Sequence, residues 1–370
     1  MPSLAVAWEP GVYPAPPQRM HSSGFSVDRT QRNDVVAFWH AVYQASEGYE
    51  KRVDWTGNFS GDKGTTSAFF QDDVERRLNY FRAMCGISSD VGVNTGSKIF
   101  IDPIDLYKPP TSTLKSAAAQ SAALMLVRNY NSSNGANPAL NHNPSSSLTG
   151  WSTSAWNASS KGSFAFGLYG PGAVTEYMIE RLTTTATLSL WNTEVGHRRW
   201  NLYPNAKDYA SGDQPGEGVN NPPTNVLYVI QNPDEIVQLP SPVFVAYPAA
   251  GFFPANINSP YWSLSSSTLN FSSASVRMTD QNGNAIPIAN IRRDSNYGDP
   301  AIIWEVASAA AVRSVSRDTT INVFVSGITP KLNVPSNLIS NITDYNYSVV
   351  LINPNVITND QSIFGLATIA

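Results

Sequence analysis

The sequence predicts an α+β chain in two parts, a helix-rich part followed by an antiparallel β-sandwich. Apolar residues recur at helical spacing in three segments, at about 72–85, 113–129 and 172–183. From about residue 243 the pattern changes to short strands, and Asn282-Gly283 between two of them is a strong hairpin signal. A chain of 370 residues is long enough for two domains. We expect the two parts to be separable at the Pro-rich stretch 232–260.

Four segments make up the predicted organisation. Residues 1–70 form an N-terminal arm and a helix near 33–45, with Asn33 as its N-cap, packed on the body. Residues 71–238 hold the three long helices, a loop over 86–112, a stretch of little periodicity over 131–170, and a buried strand at 226–230. Residues 239–356 form the sandwich, and 357–370 form a tail.

The helix predicted at 72–85 has one apolar face that ends in the chain's single cysteine, Cys85, before a stop at Gly86. A lone cysteine excludes an internal disulfide, and its place on this face predicts a buried, unreactive thiol. The next helix is rich in alanine, which lets another element pack closely against it. The third helix, over 172–183, counts Leu182 among its apolar residues.

The composition is typical of a secreted protein. Charged residues make up only 14% of the chain, against about 25% in an average soluble domain. The net charge of −4 gives no basic field for nucleic acid, and no apolar run approaches the roughly 20 residues of a membrane helix. Six glycosylation sequons favour a glycoprotein: Asn58, Asn131, Asn157, Asn270, Asn341 and Asn346.

Four blocks occur in order between about 75 and 235. They are Asn79-x-x-Arg82 followed by Gly86, the alanine-rich helix, Leu140-Asn141-His142, and Trp191-x-x-Glu194-x-x-His197-Arg198 closing at Pro204. Together they resemble the CAP superfamily (cysteine-rich secretory proteins, antigen 5 and pathogenesis-related proteins), most closely its microbial SCP-like branch. That resemblance implies an α-β-α sandwich with a central cleft.

In many CAP members the cleft holds two histidines and two glutamates, sometimes with zinc. His142 matches the first histidine, and Glu194 falls where plant and animal members have a glutamate. Ser163 replaces the glutamate of another family block, and the strand at 226–230 carries no histidine. The resemblance therefore implies a partial site of His142, Glu194 and His197, with no cofactor or at most a weakly bound zinc on those three residues.

Glu194 and His197 are three residues apart, so on a helix they would share a face and act on one water or hydroxyl as acid and base. The alternative is that His197, Arg198 and Arg199 only hold loop carbonyls in place. Aromatic and polar side chains crowd the segment before the cleft, which is typical of a ligand groove, although packing in the core is the alternative for each. The predicted ligand contacts are Trp151, Trp156, Ser163, Tyr169 and Arg198.

Two functions follow from these patterns. The first is a secreted CAP-like protein whose cleft binds an extracellular glycan, lipid or peptide. The alternative is a hydrolase of an extracellular polymer that uses Glu194 with His142 or His197. Aromatic side chains filling the cleft would favour binding, and a solvent-exposed Glu–His pair would favour hydrolysis.

Overall fold

The protein is described from a computed structural model that covers residues 24–93, 115–184, 189–206, 208–230, 243–332 and 342–356. The chain is α+β, as predicted. Most of the arm, residue Leu114 and the tail at 357–370 lie outside the described residues. The helices are α1 (Arg32–Phe38), α2 (Ala68–Met84), α3 (Lys115–Arg128), α4 (Thr153–Lys161), α5 (Gly170–Ile179), α6 (Gly196–Asn201) and α7 (Ala309–Arg313).

Four strands form a mixed sheet in the first part, in the order β1-β5-β6-β2. They are β1 (Gly92–Val93), β2 (Gly162–Phe166), β5 (Asp208–Gln214) and β6 (Thr224–Tyr228). A separate hairpin pairs β3 (Arg181–Thr184) with β4 (Ser189–Trp191). Alternate residues of β6 point to opposite faces: Val226 and Tyr228 pack on α3 and α4, whereas Leu227 packs in the core with α2 and α5. Helices therefore cover both faces of this sheet.

Close packing of α3 on the sheet explains its small residues. A side chain at Gly212 on β5 would overlap the backbone of Ala119, so helix and strand approach each other at that point. Ala118 and Ala122 on the same helix are fully buried. The prediction that alanines allow a close approach is confirmed.

Several boundaries differ from the predictions. Helix α1 begins at Arg32 with Gln31 at its N-cap, so the assignment of Asn33 as the cap is wrong. Helix α5 ends at Ile179 because Glu180 adopts a left-handed conformation (φ 60°) and the chain turns into β3. Leu182 accordingly lies in a strand and is exposed rather than part of a helical stripe. The stretch 131–170, where the sequence shows little periodicity, contains α4 and β2, and β5 was also missed.

The second part consists of two main sheets that pack face to face. One has the order β12-β11-β15-β17-β8 and the other β13-β14-β9-β7. Trp304 on β14 joins them by donating its indole N–H toward Met278 on β11 at 3.1 Å. The strands are β7 (Val245–Tyr247), β8 (Gly251–Pro254), β9 (Tyr261–Ser265), β10 (Leu269–Asn270), β11 (Ser275–Asp280), β12 (Ala285–Ile286), β13 (Ile288–Asp294), β14 (Ala301–Val306), β15 (Thr319–Ser326), β16 (Thr329–Pro330) and β17 (Asp344–Ile352).

The hairpin predicted around Asn282-Gly283 is confirmed, since β11 and β12 pair antiparallel with Met278 opposite Ile286. Gly283 has a φ of 84°, a conformation that favours glycine. The prediction of a wholly antiparallel sandwich is wrong at one edge. Strand β8 pairs parallel to β17, with Phe252 opposite Val350.

One hydrophobic core runs through both parts of the chain. The ring of Phe81 on α2 lies 6.5 Å from that of Tyr247 on β7, and both residues belong to this continuous core. Arg29, before α1, donates to the carbonyl of Ala250 near β8 and to Ala83 and Met84 at the end of α2. The two parts thus share buried apolar surface and polar contacts, and their separability stays a prediction.

Candidate functional site

A cleft of about 330 Å³ opens where the helix-rich part meets the sandwich. One wall comes from the start of β2 and the residues after β6, and a second from the N-terminal end of α6. The β13–β14 loop of the sandwich closes a third side. The lining residues are His142, Ser160, Gly162, Ser163, Asn192, Gly196, His197, Trp200, Val229, Ile230, Asn296 and Tyr297.

A carboxylate–imidazole pair lies at the base of this cleft. His197 Nδ1 is 2.8 Å from Glu180 Oε2, and the Glu180 side chain is wholly buried while 25% of the His197 side chain is exposed. Because a carboxylate only accepts, Nδ1 must carry the hydrogen, which places the basic lone pair on Nε2. Among the described residues Nε2 has no hydrogen-bond partner, so it is available to a ligand.

Glu180 is held in place by three donors. Besides His197, its carboxylate accepts from the Asn192 side-chain amide at 2.8 Å and from the backbone N–H of Arg198 at 2.7 Å. The last bond satisfies a donor in the first turn of α6, so Glu180 also caps that helix. A left-handed glutamate costs about 1 kcal/mol in backbone strain. The carboxylate hydrogen bonds offset that cost and fix the orientation of His197.

The charge of Glu180 also sets the protonation of His197. Burial alone lowers the pKa of the imidazole, but the charge of Glu180 and its hydrogen bond outweigh burial and raise the pKa above 6.5. The neighbouring Tyr177 ring lies 5.2 Å from the imidazole, and burial raises its own pKa so that its hydroxyl stays neutral. The charge of Glu180 therefore favours the protonated form of His197.

His142 also lines the cleft, from the loop before α4. Its ring stacks on Phe164 with the centroids 4.7 Å apart, and Nδ1 lies 2.9 Å from the carbonyl oxygen of Ser159 at the end of α4. A carbonyl can only accept, so Nδ1 donates and Nε2 again carries the lone pair. Both predicted histidines therefore line one cleft, each with Nδ1 held by a protein oxygen.

The third predicted member, Glu194, does not join them. Helix α6 begins only at Gly196, and Val195 has a φ of 47°, so Glu194 and His197 do not share a helix face. Glu194 is exposed and accepts a hydrogen bond of 3.1 Å from the Tyr297 hydroxyl, outside the set of lining residues. The prediction that Glu194 shares a helical face with His197 is wrong, and the carboxylate beneath the cleft is Glu180.

Of the predicted ligand contacts, only Ser163 lines the cleft. Trp151 packs on the alanines between α3 and α4, and Tyr169 stacks on Phe70 with 5.8 Å between the rings. Trp156 donates to Asn143, next to the cleft wall. The fourth, Arg198, is wholly buried, and its hydrogen bonds are to other residues of the protein.

Arg198 and its neighbour Arg199 are structural. Arg198 donates to the carbonyl oxygens of Met178 and Tyr261 and stacks on the ring of Tyr247, 4.2 Å from its centroid. The prediction that Arg198 contacts a ligand is wrong because no part of its side chain reaches solvent. For these two arginines the alternative of holding carbonyls and the helix end in place is the one observed.

Within the described part of the chain, no three His, Cys, Asp or Glu side chains are grouped so that they could hold a metal ion. His197 Nδ1 is engaged by Glu180, and Glu194 is turned toward Tyr297. The weak zinc site on His142, Glu194 and His197 stays a prediction that this geometry does not support.

Sequence reasoning missed Glu180, Asn296 and Tyr297. Glu180 comes directly after the apolar face of α5, and a carboxylate at that position was the available signal. It was missed because the helix was expected to continue to residue 183. Asn296 and Tyr297 lie in a loop about 100 residues from His197 in sequence, and no local pattern connects them to it.

Comparison with known proteins adds no assignment: no protein-family model and no curated protein sequence matches this chain. Across the described ranges, none of the helices has the length and apolar character needed to cross a membrane.

Proposed function

We propose that the chain is a secreted, CAP-like protein whose cleft binds an extracellular ligand, whether glycan, lipid or peptide. The observation that carries this proposal is that His142 and His197 line one cleft, each with Nδ1 held by a protein oxygen and Nε2 without a partner among the described residues. Sites for small ligands are concave and carry a few fixed polar groups, and two oriented imidazoles are such groups.

Two of the blocks that carry the CAP resemblance also meet in space, which supports the proposal. Arg82 on α2 is wholly buried and donates to the carbonyls of Asn201 and Tyr203 at 2.9 and 3.0 Å. Asn201 is the last residue of α6, the helix that carries His197, and Tyr203 lies just beyond it. The arginine of the first block therefore holds the end of the last block, the block that includes His197.

A hydrolase is the second candidate, and the Glu180–His197 pair favours it. A histidine oriented by a buried carboxylate can take a proton from water on Nε2 while that water's oxygen attacks a polymer bond, and can return the proton to the leaving group. In this form of the candidate the carboxylate is Glu180 rather than Glu194, and it acts by orienting His197.

The test of the proposed function is a binding screen of the purified chain against chitotetraose, palmitate and a gelatin peptide digest, read by tryptophan fluorescence because Trp200 lines the cleft. We expect one of these probes to bind, and both His142→Ala and His197→Ala to weaken that binding at least tenfold. His40→Ala is the matched control, since His40 hydrogen-bonds Gln44 away from the cleft. Binding that survives both cleft variants would refute the proposal, as would the absence of binding by all three probes.

The same variants separate binding from hydrolysis. If the chain is a hydrolase, it releases products from the bound probe, and His197→Ala abolishes product release even at saturating probe. Glu180→Gln keeps a hydrogen-bonding side chain but removes the charge, and product release should fall with it. A probe that binds and stays intact over long incubation excludes hydrolysis of that polymer class.

A further inference from the structure

The sandwich contributes one wall of the cleft. The β13–β14 loop brings Asn296 and Tyr297 into the lining, opposite β2 and beside His197. Tyr297 lies against Gly196, where a Cβ atom would come within 3.3 Å of its ring, so the absence of a side chain at Gly196 gives the ring its place. The tyrosine hydroxyl then donates to Glu194 at 3.1 Å.

A single arginine supports this loop from beneath. Arg199 forms an ion pair with Asp294 at the end of β13, and it donates to the carbonyl oxygens of Asp294 and Asp299 at 3.1 and 2.8 Å. Both ends of the loop are therefore bound to α6, the helix that carries His197. The Arg199 guanidinium also faces the Tyr297 ring, 5.6 Å from its centroid.

The chemistry of the lining selects for one kind of ligand. Apart from the two histidines, the polar side chains of the cleft are neutral amides and hydroxyls: Asn192, Asn296, Ser160, Ser163 and Tyr297. Within the part of the chain that the structure describes, the lining contains no Lys, Arg, Asp or Glu. An anionic ligand finds no fixed cation among these residues other than histidine. An acyl chain would offer no hydrogen-bond partner to the exposed Asn296 amide, whereas the Asn192 amide already donates to Glu180. An uncharged, hydroxyl-rich ring can hydrogen-bond to the Asn296 amide, while Trp200 and Tyr297 offer flat apolar faces.

We propose that Asn296 and Tyr297 determine the specificity of the cleft for an uncharged saccharide, with Arg199 as the residue that positions their loop. This proposal rests on the proposed function and narrows its ligand to one class. The sandwich is then part of the binding site rather than an accessory module.

The experiment measures affinities of the full chain for chitotetraose, cellotetraose, tetragalacturonate and palmitate by calorimetry. We expect one of the two uncharged tetramers to bind, and tetragalacturonate to bind at least tenfold more weakly. Tyr297→Ala and Asn296→Ala should each weaken the tetramer at least fivefold with an unchanged melting temperature. The matched control, Asn282→Ala, alters an exposed hairpin of the sandwich and should leave affinity unchanged.

Arg199→Met tests the positioning role. For this variant we expect the ratio of the affinities for chitotetraose and cellotetraose to approach the ratio measured for Tyr297→Ala. A loss of stability alone would not change that ratio. If neither uncharged tetramer binds, or if binding is indifferent to both loop variants, the proposal is overturned. Palmitate binding that requires His142 and His197 would overturn it while leaving the proposed function intact.

Discussion

The two parts of the molecule bury different kinds of side chain. The helix-rich part buries charged groups such as Arg77, Arg82, Arg198 and Asp213, each bound to several protein partners. In the described residues of the sandwich the buried polar side chains are all neutral, and its centre is the Trp262–Trp304 pair with aliphatic neighbours. The difference indicates that the first part uses charged hydrogen bonds to hold irregular segments, including those that form the cleft, whereas the sandwich relies on strand pairing and apolar packing.

The shared core joins the two parts, so truncating a side chain in this core should cause the largest loss in the free energy of unfolding. Phe81 on α2 is fully buried and faces Tyr247 of the sandwich, so Phe81→Ala should lower the free energy of unfolding by about 3–5 kcal/mol. We expect hydrogen exchange at increasing denaturant to show β5 and β14 opening together. Phe69→Ala, on the same helix but 54% exposed, should cost less than about 1 kcal/mol. Two separate transitions would instead support the separable domains predicted from the sequence.

Substituting a buried arginine of the helix-rich part should cause the next largest loss in the free energy of unfolding. Arg82→Met keeps the length of the side chain but leaves carbonyls of the segment 201–206 without their donor, so we expect a loss of about 3 kcal/mol in unfolding free energy. The control is Arg277→Met on β11, where an exposed guanidinium lies over the ring of Phe324 and contributes about 1 kcal/mol or less. If urea unfolding showed equal losses of free energy for Arg82→Met and Arg277→Met, the two parts would not differ in their use of charged hydrogen bonds.

The Glu180–His197 pair gives a smaller, pH-dependent effect. Because the folded pKa of His197 is raised above 6.5, the pair stabilises the protein fully below pH 6.5, and this stabilisation is lost as the pH rises through the folded pKa. The stability advantage of the wild type over His197→Gln should therefore shrink as the pH increases from 6. A difference that grows over that range would show that the imidazole is buried neutral.

Cys85 should not react with a thiol reagent in the folded protein. It is buried at the C-cap of α2, and burial raises the pKa of its thiol to about 12. Almost no thiolate exists at neutral pH, so a thiol reagent should label the native protein only as fast as the chain unfolds. Rapid labelling of the folded protein would contradict this account of the core.

The sequence was sufficient for elements that depend on local periodicity. The apolar stripe of α2, its stop at Gly86 and the hairpin at Asn282-Gly283 were predicted because each is determined by near neighbours. Helix α4 and strand β5 were missed because their residues are mostly small or polar, and they are buried only by tertiary packing. Periodicity alone does not identify such segments.

The residues of the candidate site also fall into those that the sequence predicts and those that only the fold brings together. His142 and His197 were found from motifs, but their partners required the fold. Glu180 depends on a left-handed turn at the end of α5, and Tyr297 depends on the sandwich docking against α6. Arg198 was mistaken for a ligand contact because its sequence neighbours do not reveal that Tyr247 and Tyr261 enclose it.

The central claim is that His142 and His197 form one binding site with unpartnered Nε2 atoms, and nitrogen-15 NMR of the histidine rings tests it most directly. Spectra recorded during a chitotetraose titration should show both residues with the hydrogen on Nδ1 when neutral. We expect their Nε2 resonances to shift together along a single binding curve while those of His40 stay fixed. Separate curves for the two histidines, or shifts confined to His40, would contradict the account.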